Sequence, residues 1–233
     1  MKTWKLALAA AAASLAMGAG SAAWADDAPS VTFNLGVGSD YVFRGVSQTN
    51  NDPQVFGGAD LSAGNFYAGV WTSNVDFGDS TQAEVDGYFG YKPTAGSVSL
   101  DFGAIYYGYI DAPSGSDYGY WEIKAAASVP AGPATLGAAV YYSPDFFGGI
   151  GDATYAEVNA SGSPADKWTV SGALGYQSFA DFSGLDYTTW NLGVTYAFTD
   201  KVSGDLRYTD NDISGCGKIC DSKVVVSLKA TFP

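Results

Sequence analysis

Residues 31–47, VTFNLGVGSDYVFRGVS, decide the fold of this chain by the alternation of their side chains. Val31, Phe33, Leu35 and Val37 share one parity, with small or polar residues between them. Successive side chains of a strand point to opposite faces, so the pattern predicts a strand with one apolar and one polar face.

The second half of this stretch keeps the same alternation. Tyr41 and Phe43 continue the apolar parity, whereas Asp40 and Arg44 fall on the polar one. We therefore expect one long strand over Val31–Ser47, with the two aromatic rings facing outward and the two charges facing inward.

Eleven further segments repeat this pattern, which predicts an all-β chain. Tight turns rich in Gly, Pro, Asp and Lys alternate with longer loops, which is the layout of a transmembrane antiparallel up-and-down β-barrel. The twelve predicted strands are Val31–Ser47, Gln54–Ser62, Phe66–Val75, Gln82–Tyr91, Val98–Tyr109, Tyr118–Val129, Ala134–Ser143, Thr154–Ser161, Trp168–Gln177, Tyr187–Ala197, Val202–Thr209 and Lys223–Phe232.

The N-terminus, residues 1–25, has the composition of a secretion signal. Lys2 and Lys5 precede an apolar run, and Ala23-Trp24-Ala25 forms an A-x-A cleavage site. The alternative, a membrane anchor, would need about 20 apolar residues, more than this run supplies. We expect a signal peptide over residues 1–25, which is removed, and one barrel domain over 26–233.

The ionised residues of the predicted strands all take the polar parity. A charged Lys or Arg facing lipid at mid-depth costs about 2–4 kcal/mol, so a bilayer enforces such a one-sided distribution. The residues predicted to line the pore are Asp40, Arg44, Asp60, Glu84, Asp86, Asp101, Glu122, Lys124, Glu157, Asp205, Arg207 and Lys229. A periplasmic β-sandwich also alternates, but it needs large core residues, and here the apolar parity is rich in alanine.

Composition excludes several classes of function. The chain has 11 Lys and Arg against 24 Asp and Glu, and Lys2 and Lys5 lie in the signal peptide, so nucleic acid is not expected as a partner. There is no histidine, which removes the usual hydrolase base and imidazole zinc sites. We expect no enzyme activity, no cofactor and no metal.

The two cysteines, Cys216 and Cys220, lie only four residues apart. In an exported chain, a disulfide is the default interpretation. A metal-binding thiol pair is the alternative, although no histidine is available to complete it.

Two alternatives stay open for the barrel interior. Its carboxylates could favour the entry of cations, or the acids and bases could pair and fill the lumen. Inward tyrosines could stack against a quaternary ammonium or other cationic solute, or simply fill space. These tyrosines are Tyr88, Tyr107, Tyr109, Tyr120 and Tyr141.

Four segments resemble the TorF-type porin family of proteobacteria. They are SDYVFRGVSQTNNDPQVFGG (residues 39–58), FYAGVWTSNVDFG (66–78), EVDGYFGY (84–91) and DSKVVVSLKATF (221–232). The resemblance spans nearly the whole mature chain and implies an outer-membrane channel for small polar solutes. One member type of that family is associated with trimethylamine N-oxide respiration. Such chains often end on an aromatic residue, whereas here Phe232 is followed by Pro233.

Together these features predict a porin-like channel in the outer membrane of a Gram-negative bacterium. We expect passive diffusion of small hydrophilic solutes with a mild preference for cations. The expected partners are outer-membrane lipid and small polar solutes. The alternative is a closed barrel that acts as a structural, receptor or adhesion protein.

Overall fold

A computed structural model describes residues 28–233, and the predicted signal peptide lies outside the described residues. Twelve antiparallel strands form a closed barrel, as the sequence predicts. We number them β1 (Ser30–Gly38), β2 (Gln54–Ala63), β3 (Phe66–Asn74), β4 (Ala83–Tyr91), β5 (Val98–Ile110), β6 (Tyr120–Ala131), β7 (Ala134–Ser143), β8 (Ala153–Ala165), β9 (Trp168–Phe179), β10 (Tyr187–Ala197), β11 (Val202–Asn211) and β12 (Lys223–Phe232).

Each strand pairs with its neighbours in the chain, and the first pairs with the last. Phe33 of β1 lies opposite Phe232 of β12, which closes the cylinder and leaves no free sheet edge. Short turns such as residues 64–65 and 132–133 form one rim, here called the short-turn rim. The loops of the opposite rim are longer, and we call it the long-loop rim. Because the strand number is even, the start of β1 and the end of β12 both lie at the short-turn rim.

The outer surface of the barrel is apolar. Leu35, Leu192 and Val224 of three different strands are 57%, 60% and 58% exposed, and their strand neighbours face inward. A soluble protein rarely exposes an apolar surface of this extent, whereas a bilayer solvates it. The predicted parity is therefore confirmed for these strands.

Aromatic rings border this apolar surface at both rims. Near the short-turn rim, the rings of Trp168 and Tyr196 lie 4.7 Å apart between their centroids. Near the long-loop rim, Tyr176 and Tyr208 donate hydrogen bonds to Asp186 and Asp210. An apolar ring with a hydrogen-bonded hydroxyl suits the boundary between lipid and water.

The first predicted strand is wrong in its second half. β1 ends at Gly38, and the residues that follow, 39–53, fold into the barrel; we call them the inner segment. It contains a two-residue ribbon in which Val42 pairs with Ser47 and Phe43 with Val46. The alternation persists because this ribbon is itself extended, but its apolar side packs inside the barrel and does not face lipid.

Tyr41 and Phe43 are the clearest correction to the predicted outward positions. They are 4% and 0% exposed, and both belong to the buried core of the structure. Asp40 and Arg44 do lie inside the barrel, but on a turn and not on a strand. The chain reverses at Arg44 and Gly45, whose φ angles are 44° and 85°.

Within residues 28–233, helix is confined to two single 3₁₀ turns, Ser183–Leu185 and Lys218–Cys220. Cys216 and Cys220 form a disulfide in the loop after β11, as predicted. Among the described residues, no helix is both long and apolar enough to cross a membrane.

Candidate functional site: the barrel interior

Arg44 of the inner segment binds the far wall of the barrel, across the lumen from β1, the strand that precedes the inner segment. Its two terminal nitrogens each donate a 2.8 Å hydrogen bond to the carboxylate of Glu122 on β6. One of them also donates to the side-chain oxygen of Gln177 on β9, at 3.0 Å. The side chains of Arg44 and Glu122 are 3% and 2% exposed, so this is a buried, bidentate ion pair.

Aromatic rings enclose the guanidinium group of Arg44. Its central carbon lies 4.2 Å from the ring centroid of Tyr155 and 5.1 Å from that of Tyr141. Phe43 contributes a third ring at 4.5 Å. The face of Tyr141 predicted to stack against a cationic solute is therefore occupied by a cation of the protein itself.

The base of the inner segment is held by a buried polar network around Asp40. Ser47 and Thr49 both donate hydroxyl hydrogen bonds to one carboxylate oxygen of Asp40. The other oxygen lies 3.4 Å from the ammonium group of Lys223 on β12. On the other side, Tyr41 donates a 2.8 Å hydrogen bond to Glu84 on β4.

The tip of the inner segment reaches β10 and β11. The side-chain amide of Asn211 donates a 2.6 Å hydrogen bond to the carbonyl of Gly45. A Cβ atom at Gly45 would lie 2.6 Å from the hydroxyl of Thr189, so only glycine fits here. The ring of Tyr41 also lies 5.3 Å from that of Trp71 on β3, centroid to centroid. The inner segment thus contacts the wall from β3 round to β12 and spans the lumen.

An aromatic cluster covers the inner segment on the long-loop side. Phe146 and Phe147 of the loop after β7 are 2% and 5% exposed. Phe146 packs against Tyr120 and Phe179, with centroid distances of 4.7 and 5.7 Å. These rings separate the inner segment from the long-loop rim.

Two long loops are joined at the rim by Asp79 and Tyr118. Tyr118 donates a 2.8 Å hydrogen bond to the carboxylate of Asp79, which also accepts one from the amide of Thr81. Partial burial opposes ionisation of Asp79, but these hydrogen bonds outweigh it and lower its pKa. Partial burial and the same hydrogen bond raise the pKa of Tyr118 to about 12.

The half of the lumen nearer the short-turn rim is also charged. Lys124 donates a 2.6 Å hydrogen bond to Asp101, and Tyr67 donates another. Arg207 forms a salt bridge with Asp205 at 3.0 Å, and the two side chains are 29% and 22% exposed. Acid–base pairing in the lumen, one of the two predicted alternatives, therefore occurs here.

The predicted pore-lining residues all lie on the inner side of the barrel wall or in the inner segment, and their burial falls into three classes. Seven are buried: Asp40, Arg44, Glu84, Asp86, Asp101, Glu122 and Lys124. Four are half-buried: Asp60, Glu157, Asp205 and Arg207. Lys229 is exposed. Whether they line a conducting pore stays a prediction.

Sequence reasoning missed several residues that hold the inner segment. Gln177, Asn211 and Lys223 bind it from β9, β11 and β12, and Thr189 of β10 lies against Gly45. Three of these are uncharged and carried no weight in the charge pattern, and Lys223 stands at the very start of its strand. The sequence does indicate that the chain turns within the inner segment. The Arg44-Gly45 step offers a glycine where a left-handed backbone is needed, and the run Asn50-Asn51-Asp52-Pro53 is rich in turn formers.

The fold is a closed, porin-like barrel of twelve antiparallel strands with a polar interior. The family model described as "Bacterial protein of unknown function (Gcw_chp)" matches residues 22–232, and the chain belongs to that family. No curated protein matches the sequence.

Solved porin structures share the fold at low sequence identity. A structure described as KdgM porin is 10% identical with a TM-score of 0.61, covering 87% of this chain and 99% of that one. A NanC porin structure is 11% identical with a TM-score of 0.60, covering 88% and 100%. KdgM porin in complex with disordered oligogalacturonate is 10% identical with a TM-score of 0.57, covering 88% and 100%.

Proposed function

We propose that this protein is an outer-membrane channel for small hydrophilic solutes, with a preference for cations. In this proposal, the inner segment is the gate, and the described structure is the closed state. The TorF-type assignment is the narrower part of the proposal, since the family that the chain belongs to has no known function.

The charged lumen near the short-turn rim is the observation that carries this proposal. Arg207 and Asp205 face inward and stay partly exposed, and Lys229 on the inner side of β12 is exposed. A barrel whose interior were a packed apolar core would leave such groups unsolvated at a large cost. The partial exposure of these groups supports an aqueous path that enters the barrel from this side.

The charge balance around the inner segment supports the preference for cations. Four buried carboxylates lie at this level, and Arg44 and Lys223 are the cations that pair with two of them. The carboxylates are Asp40, Glu84, Asp86 and Glu122. A surplus of negative charge in a narrow passage lowers the energy of a permeating cation and raises that of an anion.

This charge distribution also argues against the solute named for one structural neighbour. Oligogalacturonate, bound by KdgM porin, is a polyanion. A lumen with more carboxylates than cations would repel it. We therefore favour neutral and cationic solutes for this chain.

A permanently closed barrel is the second candidate, and it has an observation in its favour. Phe43 is fully buried beneath the aromatic cluster of Phe146 and Tyr120, so that moving the inner segment would expose apolar surface. Such a barrel would act through its loops as a structural, receptor or adhesion protein.

Planar-bilayer recording of the purified protein tests the proposal. We expect discrete conductance steps and, in a KCl gradient, a reversal potential on the cation side. The variant Glu122→Gln should reduce the selectivity, whereas Asp166→Asn, in the turn after β8, should not. Absence of steps, or a reversal potential on the anion side, would refute the proposal and favour the closed barrel.

A further inference from the structure

Two carboxylates in the barrel interior have no cationic partner among the described residues. Glu84 and Asp86 of β4 are 0% and 1% exposed, and neither forms a salt bridge. Glu84 accepts one hydrogen bond, from Tyr41, and its second oxygen has none. Both oxygens of Asp86 lack a donor. Burial of two uncompensated carboxylates is unfavourable unless a positive charge joins them.

Two phenol groups with unpartnered oxygens lie on the same patch of the wall. Tyr109 of β5 is the direct cross-strand partner of Glu84. Tyr107 is the partner of Asp86 and pairs in turn with Tyr120 of β6. The hydroxyls of Tyr109 and Tyr120 are buried and have no hydrogen-bond partner, and Tyr120 as a whole is 2% exposed.

Directly paired residues of neighbouring strands share a face, so all these side chains point into the barrel. Their oxygens therefore lie on one patch of the inner wall, where the second oxygen of Glu84, both oxygens of Asp86 and the hydroxyls of Tyr109 and Tyr120 are buried without a well-aligned hydrogen-bond partner. A calcium ion takes six to eight oxygen ligands, carboxylates among them, at about 2.3–2.6 Å from its centre, and would supply the partner that these oxygens lack.

We propose that Glu84, Asp86, Tyr109 and Tyr120 form a binding site for a hard, oxygen-preferring cation of the calcium type. The two carboxylates match the charge of a divalent ion, and the donor set contains no nitrogen or sulfur that would favour a transition metal.

Within residues 28–233, no group of three or more Asp, Glu or Cys side chains is arranged to hold a metal ion. The proposed site therefore has fewer charged ligands than a typical calcium loop. Affinity falls with the number of charged ligands, and half-saturation is expected at roughly 0.1–1 mM. Because Tyr41 of the inner segment already binds Glu84, the bound cation would hold the inner segment against β4. The site does not depend on the channel proposal, since it requires only the closed structure.

Thermal unfolding of the whole mature protein tests the site. The protein is refolded into detergent without lipopolysaccharide and titrated with CaCl2, while choline chloride holds the ionic strength constant. We expect the unfolding midpoint to rise and to saturate in the millimolar range, because a ligand that binds only the folded state stabilises it. Isothermal titration should give one calcium per chain.

Variants separate the site from other carboxylates. Asp86→Asn should abolish the calcium-dependent shift, and Tyr120→Phe, which removes one phenol oxygen, should raise the half-saturating concentration several-fold. The matched control is Asp60→Asn, an inward carboxylate of β2 that accepts a hydrogen bond from Tyr88 and keeps the full shift. Should Asp86→Asn fail to fold, Tyr120→Phe alone decides the question.

Three outcomes would overturn the proposal. One is the absence of any calcium shift in the unmodified protein, and another is an equal shift in Asp86→Asn. The third is an unfolding midpoint that rises on acidification from pH 7 to pH 5 while calcium adds nothing at either pH. That result would mean that protons, and not a metal ion, neutralise Glu84 and Asp86. None of these measurements uses an electrical current, so failure of the cation site and failure of the channel proposal are told apart.

Discussion

Arg44 is the residue on which the position of the inner segment depends most. Its pair with Glu122 is bidentate, fully buried and enclosed by the rings of Tyr141 and Tyr155. The variant Arg44→Ala leaves Glu122 as an uncompensated buried charge, and we expect a loss of about 3–5 kcal/mol in the free energy of unfolding. Urea unfolding in detergent micelles measures this loss.

A matched arginine and a second substitution test the cause of that loss. Arg207→Ala removes a salt bridge whose members are partly exposed, and a loss of about 1 kcal/mol or less is expected. Adding Glu122→Gln to Arg44→Ala should recover part of the stability, because the stranded charge is gone. Equal losses for the two arginines would contradict the role assigned to Arg44.

A comparison of Gly45 with Gly78 separates two reasons why a position requires glycine: a left-handed backbone, and the lack of space for a Cβ atom. Gly45 and Gly78 have similar φ angles, 85° and 75°, but a Cβ atom at Gly78 meets nothing within 4 Å. Gly78→Ala should therefore cost only the backbone term, about 1 kcal/mol. Gly45→Ala adds the overlap with Thr189 and Asn211, a further loss of about 1–3 kcal/mol.

Urea unfolding of these two alanine variants checks the comparison, with protection of the inner segment from protease as a second readout. Gly45→Ala should be the less stable variant and should expose the inner segment to cleavage. Equal stability of the two would mean that the tip of the inner segment is not closely packed against β10 and β11.

At the scale of elements, the alternation of apolar and polar side chains predicted eleven of the strands well. It failed in the inner segment, where the chain leaves the barrel wall. A bilayer and a packed interior both reward one apolar face, so Tyr41 and Phe43 have the parity of lipid-facing residues although they contact other rings. Parity reports which side chains share a face; it does not report what that face contacts. The pairing of Arg44 with Glu122 joins residues 78 positions apart, and no local pattern encodes it.

The inner segment can be removed without breaking the barrel, which gives a prediction about conductance. Gly38 and Gln54 are directly paired, so a short hairpin turn can replace residues 39–53. We expect the shortened protein to fold and to conduct in larger and more frequent steps, since the element that spans the lumen is absent. Planar-bilayer recording checks this expectation.

Shortening a different long loop is the control for that experiment. Residues 180–186 connect β9 to β10, and Gln177 pairs with Tyr187 close to the loop. Replacing these residues with a short turn leaves the inner segment in place and should not enlarge the conductance. If both shortened proteins conduct alike, the inner segment is not the gate. If neither conducts, the lumen is closed between the inner segment and the short-turn rim.

Over the whole molecule, the period-two alternation of the sequence places apolar side chains against hydrocarbon and polar side chains in the interior. The outer positions carry exposed apolar side chains, and the inner positions carry the charges, so that the barrel is stable only with hydrocarbon outside and water or polar partners inside. The sequence predicts this division for the strands of the wall, because period-two patterning depends only on neighbouring residues. It did not contain the closure of the lumen, which is set by contacts between the inner segment and strands from β3 to β12.

Neighbouring positions on β12 test this division directly. Leu228 faces outward near the middle of the strand and is 48% exposed, whereas the preceding residue, Ser227, faces inward opposite Asp205. Leu228→Lys places a charge in hydrocarbon, and we expect it to lower the free energy of unfolding in lipid bilayers by about 2–4 kcal/mol. Ser227→Lys faces the lumen, can pair with Asp205 and should change stability by about 1 kcal/mol or less. Reversible unfolding in liposomes measures both variants. A larger loss for Ser227→Lys than for Leu228→Lys would mean that the outside of this barrel is not in contact with lipid.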